Sequence, residues 1–534
     1  MIQKTCTHCQ QPFTLGDDDL AFYKEIQMPQ PTHCPDCRAQ RRLSWRNERK
    51  LYLRKCDATG ETTLSVFSQD KPYTVVKNDY WYSDQWNPMD YGRDFDFSRP
   101  FFEQFDELIK KVPQLALSCV GNQNSDYINQ AGWCKDCYLI FEADFNEKCM
   151  YSTHIVDSRD CTDNSYVDKC ELCYECVDCR NCYGLKFSQD CSTCSDSWFL
   201  KDCIGCKNCF GCVGLRNKEY HIYNQPYSKE DYKQKMASFP LHNSEHLQRT
   251  RDEFLAFAQQ FPVKNMHGVQ NDNSVGDYLY NTQNCQHCFD VTNSQDCKFI
   301  SESRNMKKVY DVTVFGAQKG AEFCYDSHEI GHSVRNIFFC DQIWEGCSSL
   351  YYSKLCMQNS HDLFGCCGLR KGSYCILNKQ YTKEGYEALV PRIIEHMKKT
   401  GEWGEFFPMA MSPFTYNETL ALQYYPLSED QVKQAGLKWK EEEKPTVVST
   451  LPICKTCGKN FKVVAAEHAF YQQVGLPAPV VCSDCRHKKR ASLRNPRSLW
   501  SRACAECAAP IQTSYSPERL ERVLCEKCYL AVVY

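Results

Sequence analysis

Cys6, Cys9, Cys34 and Cys37 form two CxxC pairs separated by 24 residues, the spacing with which two knuckles supply four thiolates to one tetrahedral metal ion. Cys454, Cys457, Cys482 and Cys485 repeat this set 448 positions later, and Cys504, Cys507, Cys525 and Cys528 make a third. Four soft thiolates in tetrahedral spacing favour Zn²⁺, about three ions per chain, over iron in a rubredoxin-like site. A redox role would call for a dithiol in the context of a redox motif, whereas these pairs come in twos. His8, His33, His468 and His487 lie near the knuckles but are surplus to four thiolates.

The 448-residue offset also maps Phe13 onto Phe461, Phe22 and Tyr23 onto Phe470 and Tyr471, Pro29 onto Pro477, and Arg38 onto Arg486. The two ends are therefore copies of one module. At the positions of the third set the N-terminal copy has Cys56, Thr59, Lys77 and Tyr80, which cannot complete a tetrahedron. Because the first set occurs there without the second, each set should close its own site.

After the second knuckle, residues 38–55 carry eight Arg or Lys, and residues 486–502 carry seven. On a helix Arg38, Arg41, Arg42 and Arg46 fall within an arc of roughly 140°, as do Arg486, Lys489, Arg490 and Arg494. Such stripes suit contact with RNA or DNA phosphates, with Trp45 or Trp500 available for stacking. A solvated helix face, or docking onto an acidic protein surface including the chain's own middle, are the competing readings.

The motif CxxCxxxF, a Phe-Tyr pair, Pro, and CxxCR followed by basic residues resembles the zinc-ribbon domain family of uncharacterised bacterial proteins, over about 45 residues at each end. The whole layout is similar to a group of cysteine-rich proteins of uncultured bacteria, some labelled coenzyme A transferases. No motif in this sequence supports that chemistry.

Between these ends lie 26 further cysteines. Cys149, Cys170, Cys191 and Cys212 are spaced by 21, as are Cys161, Cys182 and Cys203, which predicts a solenoid with a 21-residue coil in which these residues stack. Residues 211–232 match residues 365–386 at an offset of 154, so the middle reads as two related halves. Each half ends at a Ser or Thr cap, Ser228 or Thr382, leading into a helix. Stacked cysteines filling a narrow interior as small hydrophobes are the favoured reading. Further metal or cluster ligation, or redox-active thiols, are the alternatives.

The expected fold is mainly β and multidomain: a Cys-rich parallel β-solenoid in two halves with helical excursions, flanked by terminal Cys₄ zinc ribbons. The expected segments are ribbon 1 (1–50), a degenerate second ribbon and solenoid cap (51–97) and a connecting helix (98–117). Solenoid half 1 (118–228), a helical excursion (229–262), half 2 (263–381) and a helical segment (382–437) follow. A linker (438–452) leads to ribbon 2 (453–497) and ribbon 3 (498–534). The aromatic stretch 80–97 is expected to cap the solenoid.

A net charge of −4 over 534 residues excludes a uniformly basic nucleic-acid coat. The absence of an apolar leader or membrane span, and the abundance of cysteine, favour the cytoplasm. No Gly-rich phosphate loop, nucleophile elbow, HExxH or Cys-His-Asn set is present, so no catalytic residue is assigned. The leading expectation is a non-enzymatic zinc scaffold that contacts nucleic acid through its basic helices. An assembly platform for protein partners is the first alternative, and a metal-handling or thiol-redox protein the second.

Overall fold

The computed structural model describes residues 1–315, 319–441 and 450–533; residues 442–449 of the expected linker lie outside them. The fold is mainly β, built on a parallel β-solenoid in two halves, with zinc modules at both ends of the chain. No helix among the described residues is long and apolar enough to cross a membrane.

The solenoid coil is 12 residues long in the first half, which corrects the 21-residue expectation. Thr153 pairs with Ser165, and Ser165 with Val177. Between strands the same step continues through isolated bridges such as Glu147 to Arg159 to Glu171. Each coil is four tripeptides, and each tripeptide ends in a left-handed corner: Tyr151, His154, Asp157 and Asp160 have φ of 52°, 53°, 49° and 49°. Asn and Asp tolerate that conformation best among non-glycine residues, and Asp160, Asp163, Asp178, Asn181, Asp190 and Asp202 all occupy such corners. One residue of every tripeptide points inward. Cys149, Cys170, Cys191 and Cys212 all point inward but, 21 being seven tripeptides, they fall on different sides of the coil. The residues that stack are 12 apart, as in Cys137, Cys149, Cys161 and Cys173.

This geometry settles the CxxC runs. Cys170, Cys173, Cys176 and Cys179 sit on the four successive short sides of one coil, Cys182 stacks on Cys170 in the next, and all five are buried. Their thiols lie in reach of backbone carbonyls two residues back and nine ahead, as Cys173 Sγ does to Glu171 at 3.4 Å and Cys182 at 3.7 Å. The second half keeps the 12-residue step near both its ends, as in Leu279 to Val291 and His361 to Ser373, and widens to 13 between, with Arg335 pairing Ser348 and Ser348 pairing His361. Longer strands appear there, including Val275–Gln283 and Ala321–Ile330.

Both halves close in the same way. Asn224 makes two hydrogen bonds to the backbone of Val213, and Asn378 makes the same two to Cys367. Ser228 and Thr382 then cap helices Lys229–Ala237 and Lys383–Thr400. The helix before half 1, Phe101–Lys111, buries Phe101, Phe105, Leu108 and Ile109, its phenyl rings packing on Tyr352, Phe364 and Phe407. The aromatic stretch 80–97 lies against the last coils of half 2, where Arg370 stands over Trp81 and Trp86 and Asn378 donates to the Pro88 carbonyl.

The two halves lie side by side and run in opposite directions. Gln130 meets Glu329 at 3.4 Å, Tyr166 donates to Glu302 at 2.7 Å, and Asp190 accepts from Tyr278 at 3.0 Å. The half-1 residues here belong to one row of left-handed corners spaced by 12, so a single polar edge of each solenoid forms the seam.

Candidate metal centres and their arginine clasps

In the first module the hairpin Ile2–Thr5 with Pro12–Leu15 carries Cys6 and Cys9 in its turn. Gln10, at φ 61°, closes that turn through its N–H to the Cys6 carbonyl. Cys34 is the N-cap of helix Pro35–Leu43, and Cys37 lies in its first turn. A helix N-terminus favours thiolates through its unpaired N–H groups and dipole. The second copy is built alike, with Gly458, at φ 71°, closing the knuckle through its N–H to the Cys454 carbonyl and Cys482 as the N-cap of Ser483–Ala491. In the third site, hairpin Trp500–Ala503 with Pro510–Thr513 faces helix Glu526–Val533.

All four sulfurs of each set lie within 4.8 Å of one another. Zn–S bonds of about 2.3 Å imply tetrahedral edges of about 3.8 Å. The Cys9–Cys34, Cys457–Cys482 and Cys507–Cys525 sulfurs are 3.7, 3.8 and 3.8 Å apart, so the donor sets fit zinc. Burial pushes the Cys454 thiol up, but N–H groups of Cys482, Cys457 and Thr456 outweigh it and bring it down to about 6. Cys504 is likewise held at about 6. Thiolates are the form a metal takes.

None of the four nearby histidines joins a ligand set among the described residues; His33 turns to Thr32 and Glu405 instead. The degenerate site keeps its knuckle and Cys56 but not the other three ligands. Gly60 donates to the Cys56 carbonyl, Cys56 Sγ accepts from Lys77 N–H at 3.4 Å, and Lys77 pairs with Glu61. Strand Val75–Val76 pairs with Gln114–Leu115 at the entry to half 1, as Val523–Leu524 pairs with Val263–Lys264 at the entry to half 2.

Residues 451–494 match the probable treble clef domain. That finding refines the zinc-ribbon expectation, because the second CxxC sits on a helix N-terminus where a ribbon would have a second hairpin. No curated protein matches the chain, and nothing in these comparisons carries coenzyme A transferase chemistry.

The basic stripes face inward, which corrects the expectation of exposed phosphate contacts. Arg38 pairs with Asp311 at 2.9 Å, Arg42 with Asp326 at 2.6 Å, and Arg41 with Asp326 at 2.8 Å and Glu405 at 2.7 Å. Arg42 also reaches Asp311 and Thr313. In the second copy Arg486 and Arg490 share Asp163 at 2.9 and 2.7 Å, and Arg490 reaches Ser165. Both modules thus dock on the solenoid through an aspartate shared by two arginines, with a hydroxyl two residues beyond it. Arg38, Arg42, Arg46 and Arg490 are at most 1% exposed. Trp45 is buried against Phe406 and Phe407. Of the eight candidate cations only Lys489 is exposed.

The docking is crossed. The N-terminal module lies mainly on half 2, the C-terminal one on half 1, and each reaches the other half. Arg46 contacts Glu142 of half 1 and Glu329 of half 2, braced by Glu48. Its counterpart Arg494 joins Asp178 of half 1 to Asp290 of half 2. Arg497 adds Asp290 and Glu302. The acidic partners were invisible as such in the sequence, being scattered through the repeat at corner positions.

Among the described residues the three Cys₄ sets are the only clusters of three or more ligand-type side chains in metal-binding reach. Burial pushes the Cys324 and Cys347 thiols up to about 12, which leaves those two poor nucleophiles. Metal analysis of the purified protein is therefore expected to give three zinc ions per chain, by mass spectrometry of the native protein or elemental analysis. Extra zinc, or iron with visible absorption, would assign ligands to the solenoid.

Proposed function

We propose that this protein is a zinc-dependent scaffold in which two treble clef modules act as clasps, locking two antiparallel solenoid halves into one rigid body that presents its outer faces to protein partners. The observation that carries this reading is the pair of arginines at equivalent positions of the two modules, Arg46 and Arg494, each set between carboxylates of both halves. Zinc fixes the helix that leads into each arginine, Pro35–Leu43 before Arg46 and Ser483–Ala491 before Arg494, so metal binding and quaternary-like closure are coupled within one chain.

Nucleic acid fits less well, since the cations that would meet phosphates are neutralised inside the protein and phosphate recognition needs exposed ones. The test is the Arg46→Ala/Arg494→Ala double variant, studied by small-angle scattering and limited proteolysis beside the wild type. The variant is expected to keep its zinc, gain in radius of gyration and become cleavable between the halves, because Glu48, Glu142, Glu329 and Asp178 lose the guanidinium paired with them and Asp290 keeps only Arg497. Unchanged compactness would sink the clasp reading. Salt-sensitive binding of RNA or DNA by the wild type in filter assays would restore the nucleic-acid one.

A further inference from the structure

The duplicated modules differ in one respect that the docking does not explain: the outer face of the first is covered by the chain itself, and that of the second is not. In the N-terminal module, residues 404–420 run along the helix beside its solenoid contact, with Arg41 shared between Asp326 and Glu405. Glu405 accepts from Thr32 at 2.5 Å and Arg41 at 2.7 Å, Gln40 donates to Tyr416 at 2.8 Å, and Ser412 donates to the Ser44 carbonyl at 2.7 Å. Gly404 packs on Pro29, and Leu420 N–H reaches the Arg46 carbonyl at 3.0 Å. Arg41 and Ser44 are consequently buried.

The equivalent positions of the C-terminal module are Val480, Lys488, Lys489 and Ser492. Val480 is 42% exposed, and Lys488, Lys489 and Ser492 are exposed. Helix Ser244–Ala258 approaches this side, yet Glu175 near Lys489 is taken by Arg251 at 2.5 Å. Among the described residues neither lysine has an ion-pair partner. The face keeps the positive charge that Arg41 supplies in the first copy; Glu175 and Asp252 lie near Lys489, but among the described residues no carboxylate makes the direct ion pair that Glu405 makes with Arg41.

We propose that the Val480, Lys488, Lys489 and Ser492 face is a docking site for an extended acidic peptide segment of a partner protein. That segment would carry a carboxylate followed by aromatic residues, as residues 402–418 do in cis for the first module. The charge complementarity is read directly from the duplicate. The carboxylate would meet Lys489 as Glu405 meets Arg41, and a hydroxyl or amide further along would meet the helix end near Ser492.

The test uses the full-length zinc-loaded protein and a fluorescent peptide of residues 402–418, titrated by anisotropy up to about 1 mM. Saturable binding is expected, weakened about tenfold or more by Lys488→Glu/Lys489→Glu in the protein or by Glu405→Gln in the peptide. Both lysines are exposed, so zinc content and melting temperature should match the wild type. Absence of saturation, or binding that ignores both changes, overturns the proposal; so does an RNA oligonucleotide that occupies the lysine face in place of the peptide.

Discussion

Cys34→Ser is expected to remove one zinc and to loosen strands of the second solenoid half as well as the first fifty residues. Structural zinc in a small module supplies about 10–16 kcal/mol of apparent binding free energy, so the helix that Cys34 caps should not persist without it. That helix places Arg38, Arg41 and Arg42 on Asp311 and Asp326, both 0% exposed. Removing one partner of a buried ion pair costs about 3–5 kcal/mol because the other charge stays desolvated. Hydrogen exchange should therefore speed up in strands Met306–Phe315 and Ala321–Ile330, which carry those aspartates. If exchange rises only in residues 1–50, the module is autonomous and the coupling argued from the ion pairs is absent. Cys56→Ser should have far less effect, since its knuckle closes through the backbone bonds Cys56 N–H to Glu61 and Gly60 N–H to Cys56.

The metal ligands were legible because tetrahedral thiolate chemistry imposes spacing within the chain, and the internal duplication repeats that spacing at one offset. The solenoid was legible as a repeat but misread in its period. Every inward cysteine of half 1 belongs to one frame of three, so any multiple of three produces ladders, and 21 is one of them. The decisive signal stood one residue earlier. Asp136, Asp160, Asn181, Asp190, Asp202 and Asn208 each precede a cysteine, and each is a left-handed corner. An Asx-Cys pair recurring at multiples of three marks a short-sided coil, in which CxxC needs no metal because a corner separates the two thiols.

The direction of the basic stripe was not legible, for a physical reason. A helix with arginines on one face reads alike whether that face meets phosphate or buried carboxylate, and here the carboxylates lie hundreds of residues away in sequence. Asp163 and Asp311 are ordinary corner residues of the repeat, distinguished only by what docks on them. Planar, permanently charged guanidinium groups suit such sites better than ammonium groups do. Consistent with this, arginine fills the buried positions of both stripes, and lysine appears at the position where the second module is exposed.

Asp163→Asn is expected to be the most damaging single change outside the zinc ligands. Asp163 is 0% exposed and is the shared partner of Arg486 and Arg490; losing its charge leaves two buried guanidinium groups with less than their due, although Glu467 still holds Arg486 at 2.9 Å. A loss of about 3–5 kcal/mol is expected, seen as a lower urea midpoint and as proteolytic release of residues 450–533, while zinc content stays at the wild-type level because no ligand is touched. The charge argument separates from a simple packing argument by a compensated variant. A triple variant, Asp163→Leu with Arg486→Met and Arg490→Met, made in a Glu467→Gln background so that the carboxylate partner of Arg486 is not left buried and unpaired, replaces the buried ions by uncharged groups, an exchange that is often neutral or stabilising. The triple variant should recover most of the lost stability, and a triple variant as weak as Asp163→Asn would show that the aspartate is needed for its shape and hydrogen bonds rather than for its charge.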